Sequence, residues 1–211
     1  MADRELSNAL ASGEIAGIQL GGVLSADKVL KQSEVDAKDT VVDNKVTALD
    51  ARVTSIEASH TALVVASSTA LSQQPSTTDT PLQVEFGVAQ VTTDIDVSAT
   101  GAFTFKTTGK YIISPFFQYG RTGATGTSIL VNRYLLNGVQ IGNSLAAKVD
   151  NADTLVPWSS SIQFTATAGD VVTVEILRDS TGNDSGGLFK VTPTIGWNPA
   201  PCASVQIYKA I

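Results

Sequence analysis

Apolar residues recur at alternating three- and four-residue intervals between Ser33 and Leu63. With Asp39, Val46, Val53 and His60 at position a, position d holds Val35, Val42, Leu49, Ile56 and Leu63. Seven of these nine positions are apolar, the seam of a coiled coil. The flanks agree. Position g carries Lys38, Lys45 and Arg52, and position e carries Asp43, Asp50 and Glu57, each five residues further on. That is the g-to-e′ charge pairing of parallel, in-register helices. Residues 33–65 therefore read as a parallel coiled-coil stalk, about 45 Å long at ~1.5 Å per residue. Its expected core is Val42, Val46, Leu49, Val53, Ile56, His60 and Leu63, and its expected interchain ion pairs are Lys38–Asp43, Lys45–Asp50 and Arg52–Glu57. The competing reading is a single amphipathic helix packed on its own domain. A stripe confined to a and d is narrower than such a helix needs.

The pattern changes near Ala66. Residues 66–81 are rich in Ser and Thr and contain Pro75, and read as a polar linker. From residue 82 the period becomes two. Leu82, Val84, Phe86 and Val88 alternate with polar or small residues, as do Phe103 with Phe105 and Ile162 with Phe164 and Ala166. Asn137-Gly138 lies between Leu135–Leu136 and Val139–Ile141, a strong hairpin signal. Val171–Leu177 and Val205–Tyr208 read as further strands, and 183–187 as a loop. Short strands separated by turn residues indicate a sandwich or jelly roll over 82–211.

Punctuation and charge support this division. No proline precedes Pro75, and no glycine lies between Gly22 and Gly87. Residues 1–65 contain 6 Lys+Arg and 10 Asp+Glu; the longer remainder contains 8 and 10, from totals of 14 and 20. The formal net charge of −6 argues against a nucleic-acid partner. No apolar run is long enough to span a membrane, and the N-terminal residues show no secretory pattern.

Candidate chemistry is sparse. One cysteine, Cys202, excludes an intrachain disulfide and reads as a small buried hydrophobe. One histidine, His60, lies in the stalk, so the C-terminal part cannot assemble a Ser-His-Asp or Cys-His nucleophile system. No catalytic, cofactor or metal residue is expected, and the chain is not expected to be an enzyme. Asp94/Asp96, Asp150/Asp153 and Asp179/Asp184 read as solvated loop carboxylates, without the ligand run of a calcium loop. Trp158 and Trp197, with Tyr111, Tyr119 and Tyr134, form either a sugar-stacking platform or, as is commoner in a sandwich, core and subunit interface.

The blocks at 98–114 (SATGAFTFKTTGKYIIS), 135–142 (LLNGVQIG), 164–174 (FTATAGDVVTV) and 203–209 (ASVQIYK) resemble the jelly roll of complement globular heads and the tumour necrosis factor superfamily. The resemblance implies a homotrimer, in keeping with the parallel stalk. In a trimer, three His60 rings would face one axis, as a register-setting polar layer or as a site for water, an anion or a metal. The absence of a Gly-X-Y repeat and of paired cysteines makes the short-stalked chain more similar to a bacteriophage fibre or capsid decoration protein.

Residues 1–32 fit that expectation. Leu10, Ile15, Ile18, Leu20, Val23 and Leu24 lie in a stretch interrupted by four glycines, with no obvious cover in their own chain. They are expected to dock on a capsid or tail protein, the alternative being a disordered or self-packed tail. The expected architecture is thus mostly β: a C-terminal jelly-roll sandwich, preceded by a parallel trimeric α-helical coiled coil and a small N-terminal anchoring segment. The expected role is structural, on the surface of a virion. A head recognising host-surface glycan or protein is the alternative.

Overall fold

A computed structural model describes residues 32–59, 61–68, 72–123, 126–152, 154–182 and 185–210. The chain divides near Ser55 into two compact units. Residues 10–24, with the expected docking positions, lie outside the described residues, as does His60.

In the first unit the expected helix is present as α1 (Gln32–Ser59), whose last four residues fall past the division. Its 28 residues give a length of about 42 Å. The composition is poor for a free helix. Val and Thr lose side-chain freedom against the preceding turn, and Asp competes for backbone bonds. Thr40, Thr47 and Thr54 donate their hydroxyls back to the carbonyls of Asp36, Asp43 and Asp50 at 2.9 Å. These bonds occupy hydroxyls that would otherwise compete for solvent or other backbone groups, but they add no tertiary packing. Helices of this kind draw their stability from a packed apolar face.

The second unit is a mostly-β sandwich of two antiparallel sheets, consistent with a jelly-roll head. Its strands are β1 (Ala62–Ser68), β2 (Leu82–Gln83), β3 (Ala89–Thr92), β4 (Ile95–Val97), β5 (Phe103–Phe105), β6 (Gly109–Arg121) and β7 (Ser128–Leu136). There follow β8 (Val139–Val149), β9 (Val156–Ser159), β10 (Ile162–Ala166), β11 (Val171–Arg178), β12 (Gly186–Leu188) and β13 (Ala203–Lys209). The seven-stranded sheet runs β10-β6-β13-β1-β3, with β9 and β12 also on β6. The six-stranded sheet runs β4-β5-β11-β7-β8, with β2 also on β11. β6 is the central strand of the first sheet, with β10 and β9 along one edge and β13 and β12 along the other.

The two inner faces meet in an aromatic core. Phe86, Phe103, Phe105, Tyr111, Phe117, Tyr119 and Tyr134 are all fully buried. Phe105 stacks edge-on against Phe164 at a centroid distance of 5.5 Å and lies 4.5 Å from Tyr111. The Asn137-Gly138 turn has φ of 51° and 79°, the pair of left-handed residues that a two-residue hairpin with right-twisted strands requires. Asn137 also ties this turn to the next one, donating to Asp170 Oδ1 at 2.8 Å and accepting from the Val171 N–H at 2.9 Å.

Two boundaries differ from expectation. The helix does not continue to residue 65: α1 ends at Ser59, and Leu63, expected in the coiled-coil seam, is buried in β1 as part of the sandwich core. The reason is local. Leu63, Val64 and Val65 carry the β-branched, apolar pattern of a strand, and β1 is paired on both edges, by β13 and β3. Nor is 66–81 a solvated linker throughout. Ala66 and Ser68 belong to β1, and Gln73 and Pro75 are buried. Gln73 exchanges backbone bonds with Leu188 (2.8 and 2.7 Å), while its side chain donates to Glu85 O at 2.8 Å and accepts from Glu85 N–H at 2.7 Å. A polar segment packs here because one glutamine side chain satisfies both backbone groups of Glu85. Gly186 and Gly187, expected in a loop, pair with β6 as part of β12.

Candidate functional site

The helix leaves its apolar seam uncovered. Val42, Val46, Leu49, Val53 and Ile56 are 56, 51, 56, 43 and 48% exposed. An isolated exposed valine needs no explanation, but a continuous stripe at coiled-coil spacing implies cover. The flanking Lys38, Asp43, Lys45, Asp50, Arg52 and Glu57 are exposed too, and among the described residues no ion pair joins any of them within the chain. Leu63, expected in the same seam, lies in β1 instead. Val41 lies off the stripe and is also half exposed.

The two outer faces of the sandwich differ in charge. On the six-stranded side, Arg133 of β7 meets Glu175 of β11 through Nη2 at 2.7 Å and Nε at 2.8 Å. Asp96 of β4 meets Lys106 at 2.6 Å, and Lys148 of β8 meets Asp150 at 2.9 Å. Exposed pairs of this kind are screened by solvent and add little stability, and they mark a face built for water.

The seven-stranded side is different. Strand alternation and pairing register place Val65 and Ser67 (β1), Ile112, Ser114, Phe116 and Gln118 (β6), and Ser204, Gln206 and Tyr208 (β13) on its outer face. Ser159 of β9 and Gln163 of β10 join them, paired to Phe116 and Ile112. Lys110, at the rim, is the one charged residue at an outward position of these strands among those described. Near the middle lies a groove of about 400 Å³ lined by Val65, Ser67, Ser114, Phe116, Ser159, Ser161, Ser204 and Gln206. The hydroxyls of Ser114 and Ser161 bond across it at 2.7 Å. Depletion of charge is one feature of a protein interface core, although such cores are also poor in serine, which is abundant here.

The aromatic residues fall into two groups. Tyr111, Tyr119 and Tyr134 are core, so they form no sugar platform. Trp158 is half-buried against the core, whereas Trp197 is 75% exposed. Tyr119 donates to Asn132 Oδ1 at 3.1 Å, and Tyr134 bonds Ser160. Burial pushes both phenols up from the ordinary tyrosine value; for Tyr119 the neighbouring Tyr134 adds to the effect, and for Tyr134 the Ser160 bond opposes it. Cys202 is fully buried and accepts from Gln73 Nε2 at 3.3 Å.

The loop carboxylates have structural partners. The Lys148 bond, then that of Thr127, holds Asp150 below the usual carboxylate value. The Thr167 N–H and Asn137 do the same for Asp170, and Thr181 for Asp179. Among the described residues no group of three or more His, Cys, Asp or Glu side chains gathers as a metal site. Asp153 and Asp184 lie outside the described residues. No helix among those described is long and apolar enough to cross a membrane.

Comparison with protein-family models finds no match, and neither does comparison with curated proteins. Among solved structures, the tumour necrosis factor protein Eiger of S. frugiperda is similar with a TM-score of 0.46 and 13% identity, over 70% of this chain and 91% of that one. The globular domain of the zebrafish complement 1qA protein is similar with a TM-score of 0.44 and 15% identity, over 70% of this chain and 96% of that one.

Proposed function

We propose that this chain is a structural virion protein: a homotrimeric head fibre or capsid decoration, or a short tail fibre, held by residues 1–32 and displaying a jelly-roll knob. The observation that carries the reading is the exposed seam of α1. Five large apolar side chains stand at a and d positions, flanked by charges whose complements lie five residues on, and nothing else covers them as economically as identical helices in parallel. The uncharged face of the seven-stranded sheet supports assembly through the head as well. The protein acts by assembly and not by turnover. The helices set a distance, the head interface supplies stability, and the N-terminal segment docks on a capsid or tail protein. No cofactor, nucleic acid or inserted membrane enters this account.

Electron microscopy of the native particle, with antibody against the head, tests the placement. Label on the head or tail of a virion, lost when residues 2–24 are deleted, is expected. Label on a cell surface, or undiminished incorporation after the deletion, contradicts it.

A second reading is favoured by the groove beside Phe116, whose neutral hydroxyls, Gln206 amide and aromatic ring suit a sugar. In that reading the chain is a receptor- or glycan-binding head of a phage or cell-surface adhesin. Reproducible glycan-array binding by the full chain, abolished by Phe116→Ala, would favour it.

A further inference from the structure

Asn137-Gly138 is the one Asn-Gly pair in the sequence, and both residues are exposed at the tip of the β7–β8 hairpin. Such a pair is chemically labile in water. The glycine backbone nitrogen gives its proton to water or hydroxide and attacks the asparagine Cγ. The Cγ–Nδ2 bond breaks, and Nδ2 leaves as ammonia with a proton taken from water. The resulting five-membered succinimide then adds water across either of its ring C–N bonds, giving aspartate or isoaspartate. Glycine favours the step because no Cβ obstructs its nitrogen. Around Gly138, no atom beyond its chain neighbours lies within 4 Å of where a Cβ would stand.

The fold opposes this reaction. Ring closure needs the Gly138 nitrogen swung round toward the Asn137 side chain. The two left-handed residues, with φ of 51° and 79°, make the mirror image of a type I turn, in which ψ at the first is about +30°. Bringing the nitrogen over Cβ therefore rotates the peptide plane and opens the turn. The carboxamide is also held at both ends by the turn before β11. Its Nδ2 donates to Asp170 Oδ1 at 2.8 Å, and its Oδ1 accepts from the Val171 N–H at 2.9 Å. The Asn137 N–H donates to Val171 O at 2.8 Å. Asp170 is itself fixed: its Oδ2 accepts from the Thr167 N–H at 2.7 Å, and its N–H donates to Thr167 O at 3.0 Å.

We propose that Asn137 is a deamidation site kept closed by Asp170, and that reaction there irreversibly unties the β7–β8 hairpin from the turn before β11. Water is the only co-reactant. Either product replaces the Nδ2 donor with a carboxylate oxygen opposite the Asp170 carboxylate, so a charge-assisted hydrogen bond becomes a contact between like charges. Isoaspartate also inserts a methylene into the backbone of a two-residue turn whose geometry sets the strand register. The tie is not regained, because the ammonia is lost to solvent. This inference rests on the head alone and not on the stalk or its assembly.

The test incubates the intact chain in mildly alkaline buffer, folded and in denaturant, and follows conversion by peptide mapping with mass spectrometry. Asn137 is expected to convert at least about tenfold more slowly in the folded chain, the factor that one hydrogen bond to a charged group supplies. Asp170→Ala is expected to recover most of that factor at Asn137, while Asn143, exposed in β8 and followed by Ser144, keeps its natural rate. Asn137→Asp, which mimics the product, is expected to lower the urea midpoint. Adding Asp170→Asn, which puts a donor opposite the new carboxylate, is expected to raise it again. Equal rates in the folded and unfolded chain overturn the proposal. So does an Asp170→Ala rate at Asn137 equal to the natural one, or an Asn137→Asp midpoint equal to the natural one. If Asp170→Ala does not fold, Asn143 accelerates together with Asn137, and the urea midpoints decide: recovery on adding Asp170→Asn supports the clamp, and no recovery overturns it.

Discussion

Leu49 sits at a d position in the middle of α1, and 56% of it is exposed. Fully burying a leucine contributes about 1.5–3 kcal/mol, so covering the half still in water is worth about 1 kcal/mol per chain. Leu49→Ala removes most of that term, and imperfect closure around the smaller side chain adds to the loss. Three copies change together in a trimer, for a total of about 3 kcal/mol, which is a factor of about 10² in the dissociation constant. Asn44→Ala is the control. Asn44 is exposed at an f position of the same helix, and its replacement is expected to change assembly by less than about 0.5 kcal/mol. Sedimentation velocity over a dilution series, in enough urea to bring dissociation into range, reads both variants. If Leu49→Ala and Asn44→Ala dissociate at the same concentration, the seam carries no interface and the coiled-coil reasoning fails.

Four further outcomes follow from the head. Ser114→Arg places a cation near the centre of the uncharged face, and is expected to give a folded monomer by circular dichroism and sedimentation; a trimer of unchanged stability would remove that face from the interface. Gln73→Leu leaves the N–H and C=O of Glu85 without their side-chain partner, a loss of about 3 kcal/mol at ~1–3 kcal/mol per orphaned group, seen as a lowered thermal midpoint; a change below about 1 kcal/mol would refute the clamp. Gly101→Ala is expected to be among the most damaging single changes, because φ is 81° and the new Cβ would lie 1.9 Å from Val84 O; near-normal yield and melting would contradict this geometry. Stability against pH should fall at both ends. Asp170 is held below its ordinary value in the folded state, so its contribution is present above about pH 4 and lost as pH drops further. Tyr119 and Tyr134 are raised, so theirs is complete below about pH 10 and lost above it. Urea midpoints across the pH range check both limbs, and Asp170→Asn and Tyr119→Phe should each flatten one.

Much of the sandwich was legible because its strands are amphipathic at period two and its hairpin is built on Asn137-Gly138. The alternation failed where a backbone contact overrides it. Leu82, Val84, Phe86 and Val88 read as one strand, yet only Leu82–Gln83 is one, Val84 and Phe86 are buried, and Val88 is 90% exposed. Gly87 explains the break: its φ is 72°, and a Cβ there would lie 2.6 Å from Ser67 O, so the chain turns away after Phe86. Leu63 was misplaced for a related reason. It falls at a d position by arithmetic, and an apolar residue there fits a helix seam and a strand equally until the pairing of β1 with β13 and β3 is known.

The candidate site was legible only in part. The seam and its g-to-e′ charges lie on one continuous segment and can be counted off directly. The uncharged face cannot, because its residues come from β1, β6, β9, β10 and β13, between Val65 and Tyr208, and meet only through strand register. A signal for it existed in the charge-free run from Val191 to Tyr208. Composition does not distinguish the core tyrosines Tyr111, Tyr119 and Tyr134 from Trp197, which stands exposed on the loop before β13.

The most direct test of the central proposition is the molar mass of the intact chain in dilute solution, measured by light scattering without reference to shape. The account predicts three times the mass of one chain. A value equal to one chain, or to a pair, would contradict it.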